Sequence, residues 1–159
     1  IDLGHTKIGL LSGPQILESA KQRRAGFLEK AKGKLDVVWD IEVPFSTELT
    51  EEARTALYEQ SVSFVFAAAD LIAIGAINTL YEKNIKVPDD VSVMGFDDIP
   101  WATILRPKLT TISQPIADIG QEAVEILTKK IHSPDKTIRS VVLDVNLVER
   151  DSTTTAKAN

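Results

Sequence analysis

The stretch VSFVFAAADLIAIGAINTLYEKNIKVPDDVSVMGFDD, residues 62–98, decides the fold. It opens and closes on short apolar runs rich in Val and Phe, VSFVFAA at 62–68 and VSVMGF at 91–96, each of strand length. Between them Ile74, Ile77, Leu80 and Tyr81 recur at helical spacing over residues 71–83. Asp70 stands where a helix N-cap belongs, with a carboxylate suited to the free N–H groups of a first turn. Strand, helix and strand in this order make a βαβ unit, so the two strands are expected to be parallel and joined by a right-handed crossover.

The same pattern extends towards the N-terminus. KIGLLSG (7–13) and VVWDIEVPF (37–45) read as strands, and SVVLDVNLV (140–148) as a fifth. Residues 18–32 carry Ala20, Phe27, Leu28 and Ala31 on one helical face, and residues 50–60 form a second helix with Thr50 as its N-cap ahead of Glu51 and Glu52. An α/β fold follows, with a parallel sheet covered on both faces by helices. After Asp98 the rhythm breaks. PWATILRPKLTTISQP holds three of the seven prolines and reads as an irregular crossover with one extended piece, LTTIS. A helix over 116–131 then carries Ile119, Ala123, Ile126, Leu127 and Ile131 in one stripe, which needs a surface to cover. The closing TTTAKAN is polar and is expected to be mobile.

Composition excludes several classes of function. Hydrophobic residues make up 43% and charged residues 26% of the 159, the balance of a soluble globular domain, and no apolar run approaches the roughly 20 residues of a membrane helix. A formal charge of −5 opposes direct binding to a phosphate backbone, and the one basic cluster, KQRR at 21–24, is short. Without cysteine there is no disulfide, thiolate nucleophile or Cys-based metal site, which suits a reducing compartment. The opening IDLGHTK lacks the pattern of a signal peptide, although the chain also opens without a Met. The hydrolase elbow, phosphate-loop and dinucleotide fingerprints are all absent, and the two histidines, His5 and His132, lie far apart in sequence.

In an open α/β sheet, ligands bind beyond the carboxyl ends of the strands. The residues there are 12–14, Phe45, Ala69 with Asp70, and Asp97 with Asp98. The paired carboxylates at 97 and 98 could hold a metal or act as acid and base, but further ligands and a partner nucleophile are missing. They could equally form a turn. The reading favoured here makes Asp97 an acceptor for ligand hydroxyl or N–H groups. Arg23 lies on the apolar face of its helix, where a charge needs a partner, and Phe45 offers a ring for stacking. A small polyhydroxy or anionic ligand fits that set, and neither catalysis nor a cofactor is expected.

Four motifs in order resemble the LacI/GalR family of bacterial transcription regulators: LGHTKIGLLSGP with RRAGF after it, FAAADLIAIGAINTLYEKNIKVPDDVSVMGFDDIPWA, LTTISQPIADIGQEAVEILTKKI, and VERDST. The resemblance spans nearly the whole chain, while such regulators are about twice as long. It implies a periplasmic-binding-protein-like type I fold, a three-layer sandwich about a parallel sheet. Residues 1–105 and 137–152 would form the C-terminal lobe of an effector-binding core, and 106–136 would cross over to lend a strand and helix to the other lobe. Residues 153–159 would be a mobile tail.

The resemblance also implies a ligand cleft lined by Arg23, Phe45, Asp97 and Gln114. The family's frequent Asn before the motif Asp is replaced here by Ala69, and Ile116 stands where some members have an aromatic. A dimer contact is implied through Ile74, Ile77, Trp101 and Leu105. The partners so implied are a small-molecule effector, a sugar or sugar derivative, a second copy of the chain, and operator DNA reached only through a helix-turn-helix headpiece absent from this sequence. The setting would be cytoplasmic. The alternative on the same fold is an extracytoplasmic sugar-binding protein of a transport or chemosensory system.

Overall fold

Residues 8–12 are all buried, and the first apolar run forms strand β1 (Lys7–Ser12), an interior strand of a parallel sheet. In this computed structural model, which describes residues 1–59, 61–135, 137 and 140–157, β1 is flanked by β2 (Asp36–Glu42) and β3 (Phe64–Ala67), and β4 (Ser92–Met94) lies beyond β3. Helix α1 (Glu18–Ala31) joins β1 to β2, α2 (Glu51–Tyr58) joins β2 to β3, and α3 (Asp70–Glu82) joins β3 to β4. Thr50 caps α2 as expected, its hydroxyl oxygen accepting the Ala53 N–H at 3.3 Å.

Strand order decides which face each helix covers. The chain steps one way from β1 to β2 and the other way from β2 through β3 to β4, so right-handed crossovers put α1 on one face and α2 with α3 on the other. On the second face Leu11, Val65 and Val93 meet Leu57, Ile72 and Leu80 in the main apolar core. On the first face, register sets Ile8 beside Phe64 and Leu10 beside Phe66. There the Phe27 ring of α1 stacks on Phe66 with centroids 4.7 Å apart. Phe64, Met94 and Phe96 line an open groove of about 660 Å³ on the same side. The expected double coverage is therefore complete on one face and partial on the other, because two of the three crossovers share a face.

Asp70 departs from expectation. Ala69 occupies the cap position and its side chain makes no capping bond, while Asp70 is the first residue of α3 and turns its carboxylate into the protein. Beyond a 3₁₀ helix (Pro100–Thr103), the edge of β4 is taken by the crossover, where Gly95 and Asp97 donate their N–H groups to the carbonyls of Thr110 and Ile112. Strand β5 (Thr111–Ser113) then pairs antiparallel with β6 (Asn146–Val148). Of the run at 140–148, only those last three residues are strand, and they pair with the departing segment instead of joining the parallel sheet. That sheet's edge beside β4 is already occupied. Helix α4 (Ile116–His132) runs as expected, and none of its residues is buried.

The C-terminal segment, for which mobility from residue 153 is the expectation, bonds to the body of the fold as far as Ala156. Ser152 is fully buried, accepting the Thr110 N–H and donating to the Val93 carbonyl at 2.6 Å. Thr154 accepts from His5 Nε2 at 2.9 Å, and Ala156 donates its N–H to the Leu3 carbonyl at 2.8 Å. These are main-chain and hydroxyl bonds, which hydropathy cannot register. Residues 158 and 159 lie outside the described residues.

Candidate functional site

The residues that follow the strands meet at one rim. Gly13, just past β1, leaves room for the Phe45 ring, since a Cβ there would lie 2.3 Å from a ring carbon. Phe45, Ala69, Asp97, Trp101 and Arg23 line a cleft of about 530 Å³.

Arg23 reaches this cleft from the middle of α1. Its guanidinium lies over the Phe96 ring, 3.7 Å from the centroid, and donates to the Ala68 carbonyl. Its Nη1 stands 3.7 Å from Asp97 Oδ1, with the two side chains only 16% and 30% exposed. The same oxygen of Asp97 accepts from Gln114 Nε2 at 2.6 Å. The three polar residues expected at the site thus form one connected cluster, with Phe45 on the wall beside it. Phe96 and the Ala68 carbonyl, which hold the guanidinium, were not anticipated. The only signal for Phe96 was its place directly before Asp97.

The loop that carries Asp97 is braced from below. Asp70 is fully buried, and its Oδ2 accepts the Ile99 N–H at 2.9 Å while Oδ1 accepts the Thr111 hydroxyl at 2.5 Å. Gly95 makes room for this carboxylate, because a Cβ there would lie 2.2 Å from Asp70 Oδ1. Asp97 and Asp98 both adopt left-handed backbone, with φ of 123° and 57°.

Burial dominates the electrostatics of the cluster. It pushes the Asp97 carboxyl above the usual range for an aspartate, against the pull of Arg23 and of the Gln114 hydrogen bond, with Asp70 adding repulsion. It lowers the Arg23 guanidinium, while Asp97 acts in the opposite direction. Asp70 is likewise raised by burial despite its two donors. Such a cluster can accept bonds from ligand hydroxyls at Asp97 and donate to ligand oxygens from Arg23 and Gln114, in a pocket with aromatic walls. Among the described residues no three His, Cys, Asp or Glu side chains are grouped to hold a metal ion, and no helix is long and apolar enough to cross a membrane.

The residues expected at a dimer contact divide. Ile77 is 6% exposed and belongs to the main apolar core, against which Leu105 also packs. Ile74 is half-buried, while Trp101 is 61% exposed and stands at the cleft mouth as well. Ile104, at 63%, adds to the apolar surface there.

Comparison with known proteins identifies the family to which this fold belongs. The family model for the periplasmic binding protein-like domain matches residues 1–153. The chain is 38% identical to the ribose operon repressor of Haemophilus influenzae over 157 residues, 96% of this chain and 47% of that protein. It is 36% identical over 157 residues to the HTH-type transcriptional repressor PurR of Mannheimia succiniciproducens, with the same two coverages of 96% and 47%. It thus spans about half the length of the curated relatives it matches. Among solved structures, a dimeric Lac repressor superposes with a TM-score of 0.88 at 29% identity, covering 98% of this chain and 58% of that one. A LacI family regulator from Enterococcus faecium with bound ribose superposes with a TM-score of 0.83 at 29% identity, covering 98% and 59%. The chain belongs to the periplasmic binding protein-like domain family, and within it to the effector-binding core of the LacI/GalR regulators.

Proposed function

We propose that this chain is the C-terminal lobe of the sensing core of a cytoplasmic transcription repressor, and that it binds a small sugar or sugar derivative at Arg23, Phe45, Asp97 and Gln114. The connected Arg23–Asp97–Gln114 cluster at the carboxyl ends of the strands, beside an aromatic wall, carries the reading. Residues 106–136 serve the second lobe, a role supported by an α4 stripe with no buried residue. The sugar prefers one closure of the two lobes and so shifts the regulator between its DNA-binding states. The protein acts as a homodimer through Ile74, Trp101 and Leu105, meets operator DNA through a separate headpiece, and catalyses no reaction. Repressor relatives favour this reading over an extracytoplasmic binding protein.

Calorimetric titration of the full-length protein with D-ribose and a panel of pentoses and hexoses tests it. Saturable binding of one sugar that changes operator affinity is the expected result; no heat from any member, with an operator affinity that no sugar alters, would overturn it. Acidity supplies a second check. Asp97 accepts ligand hydroxyls more strongly when ionised, and its carboxyl is raised by burial. Sugar affinity should therefore decline as pH falls through a range above that of an ordinary aspartate, and this dependence should flatten in Asp97→Asn.

A further inference from the structure

Resting on this reading, we infer that Arg150 is a positioning residue for the site: it acts through Asp98 to hold Asp97 in its ligand-receiving geometry. The backbone at 97 and 98 is the starting point. Two consecutive non-glycine residues in left-handed conformation persist only where the surroundings fix them. Asp97 itself is fixed from the cleft side by Gln114 and by its N–H bond to Ile112. Asp98 is fixed from behind by Arg150, whose Nη2 donates to Oδ1 at 2.6 Å, with side chains only 14% and 21% exposed.

Arg150 holds more than Asp98. Its Nη1 donates to the Leu109 carbonyl at 2.8 Å, and its own N–H donates to the Thr110 hydroxyl at 2.9 Å. One planar guanidinium therefore joins three passages of chain: the Asp97–Asp98 turn, the segment leading into β5, and the segment returning from β6. Lysine could offer a point charge to Asp98 but not the two directed donors that reach both Asp98 and Leu109. Arg150 does not line the cleft, so its effect on ligand must pass through the turn.

Three variants of the full-length protein test this: Arg150→Met, Arg150→Lys, and the near-isosteric Asp98→Asn, which keeps the assay alive should Arg150→Met fail to fold. Ribose affinity is read by calorimetry, and backbone protection by hydrogen exchange on peptides covering 94–100 and 108–114 against peptides of α2 and α3. Arg150→Met is expected to lose about tenfold in affinity, with Arg150→Lys and Asp98→Asn in between. Exchange should rise in the first two peptides and not in the helices. In an Asp97→Asn background Arg150→Met should add little further loss. Wild-type affinity and protection in folded variants, or losses that simply add to those of Asp97→Asn, would overturn the inference. A wild type that binds no sugar would sink the effector reading instead, while the exchange measurement would still decide whether Arg150 holds the turn.

Discussion

Replacing Asp97 by alanine is expected to weaken sugar binding by about 10- to 100-fold while leaving the fold intact, as read by calorimetry beside an unfolding curve. The carboxylate is the acceptor of the cluster, and hydrogen bonds to a charged group contribute about 1.5–3 kcal/mol each. Truncation also leaves Arg23 with no carboxylate beside it and Gln114 Nε2 without its acceptor at 2.6 Å. Stability should move little, because the side chain is 30% exposed and water can replace it. Arg23→Ala should lose comparable affinity but also some stability, since its guanidinium is bonded to the Ala68 carbonyl and lies over Phe96. Unchanged affinity in both variants would remove the cleft described here from the binding mechanism.

The largest expected loss of stability comes from Asp70→Ala. The substitution strands the Ile99 N–H and the Thr111 hydroxyl, both now bonded to a fully buried carboxylate. Each unsatisfied buried group costs about 1–3 kcal/mol, so a loss of about 3 kcal/mol or more is expected, a large fraction of the 5–15 kcal/mol typical of a whole domain. Asp70→Asn should lose less, because its amide oxygen can still accept from one donor. Urea unfolding of the three proteins measures the order wild type, Asn, Ala. A change below about 1 kcal/mol in Asp70→Ala would mean that the loop repacks around the gap.

Asp70 also shows where sequence reading reached its limit. Its position at the start of a helical pattern pointed to a cap, a local role that spacing can predict. Its actual partners lie 29 and 41 residues away, and nothing local encodes them. The run at 140–148 misled for a related reason. Its β-branched residues fixed an extended tendency but not a neighbour, and β4 had already paired with the crossover. By contrast, the alternation of strands with α1, α2 and α3 was legible, because period and caps are local properties. Arg23 was legible too, since a charge on an apolar helix face requires a partner, and Asp97 supplies it. Gln114 carried no such signal in its own surroundings and entered only through resemblance. Its bond to Asp97 depends on β5 lying beside the β4 loop.

The half-covered face of the sheet governs how this 159-residue chain behaves as a laboratory reagent. Phe64, Met94 and Phe96, each half-buried, border a groove that no second helix among the described residues fills, and apolar surface of this kind draws in detergents, dyes and other apolar surfaces. A net charge of −5 gives weak mutual repulsion to oppose this, and added salt would screen it. Fluorescence of an apolar-surface dye and scattering that grows with concentration and salt would report that stickiness. Solution assays on this chain are therefore best run dilute and at low ionic strength.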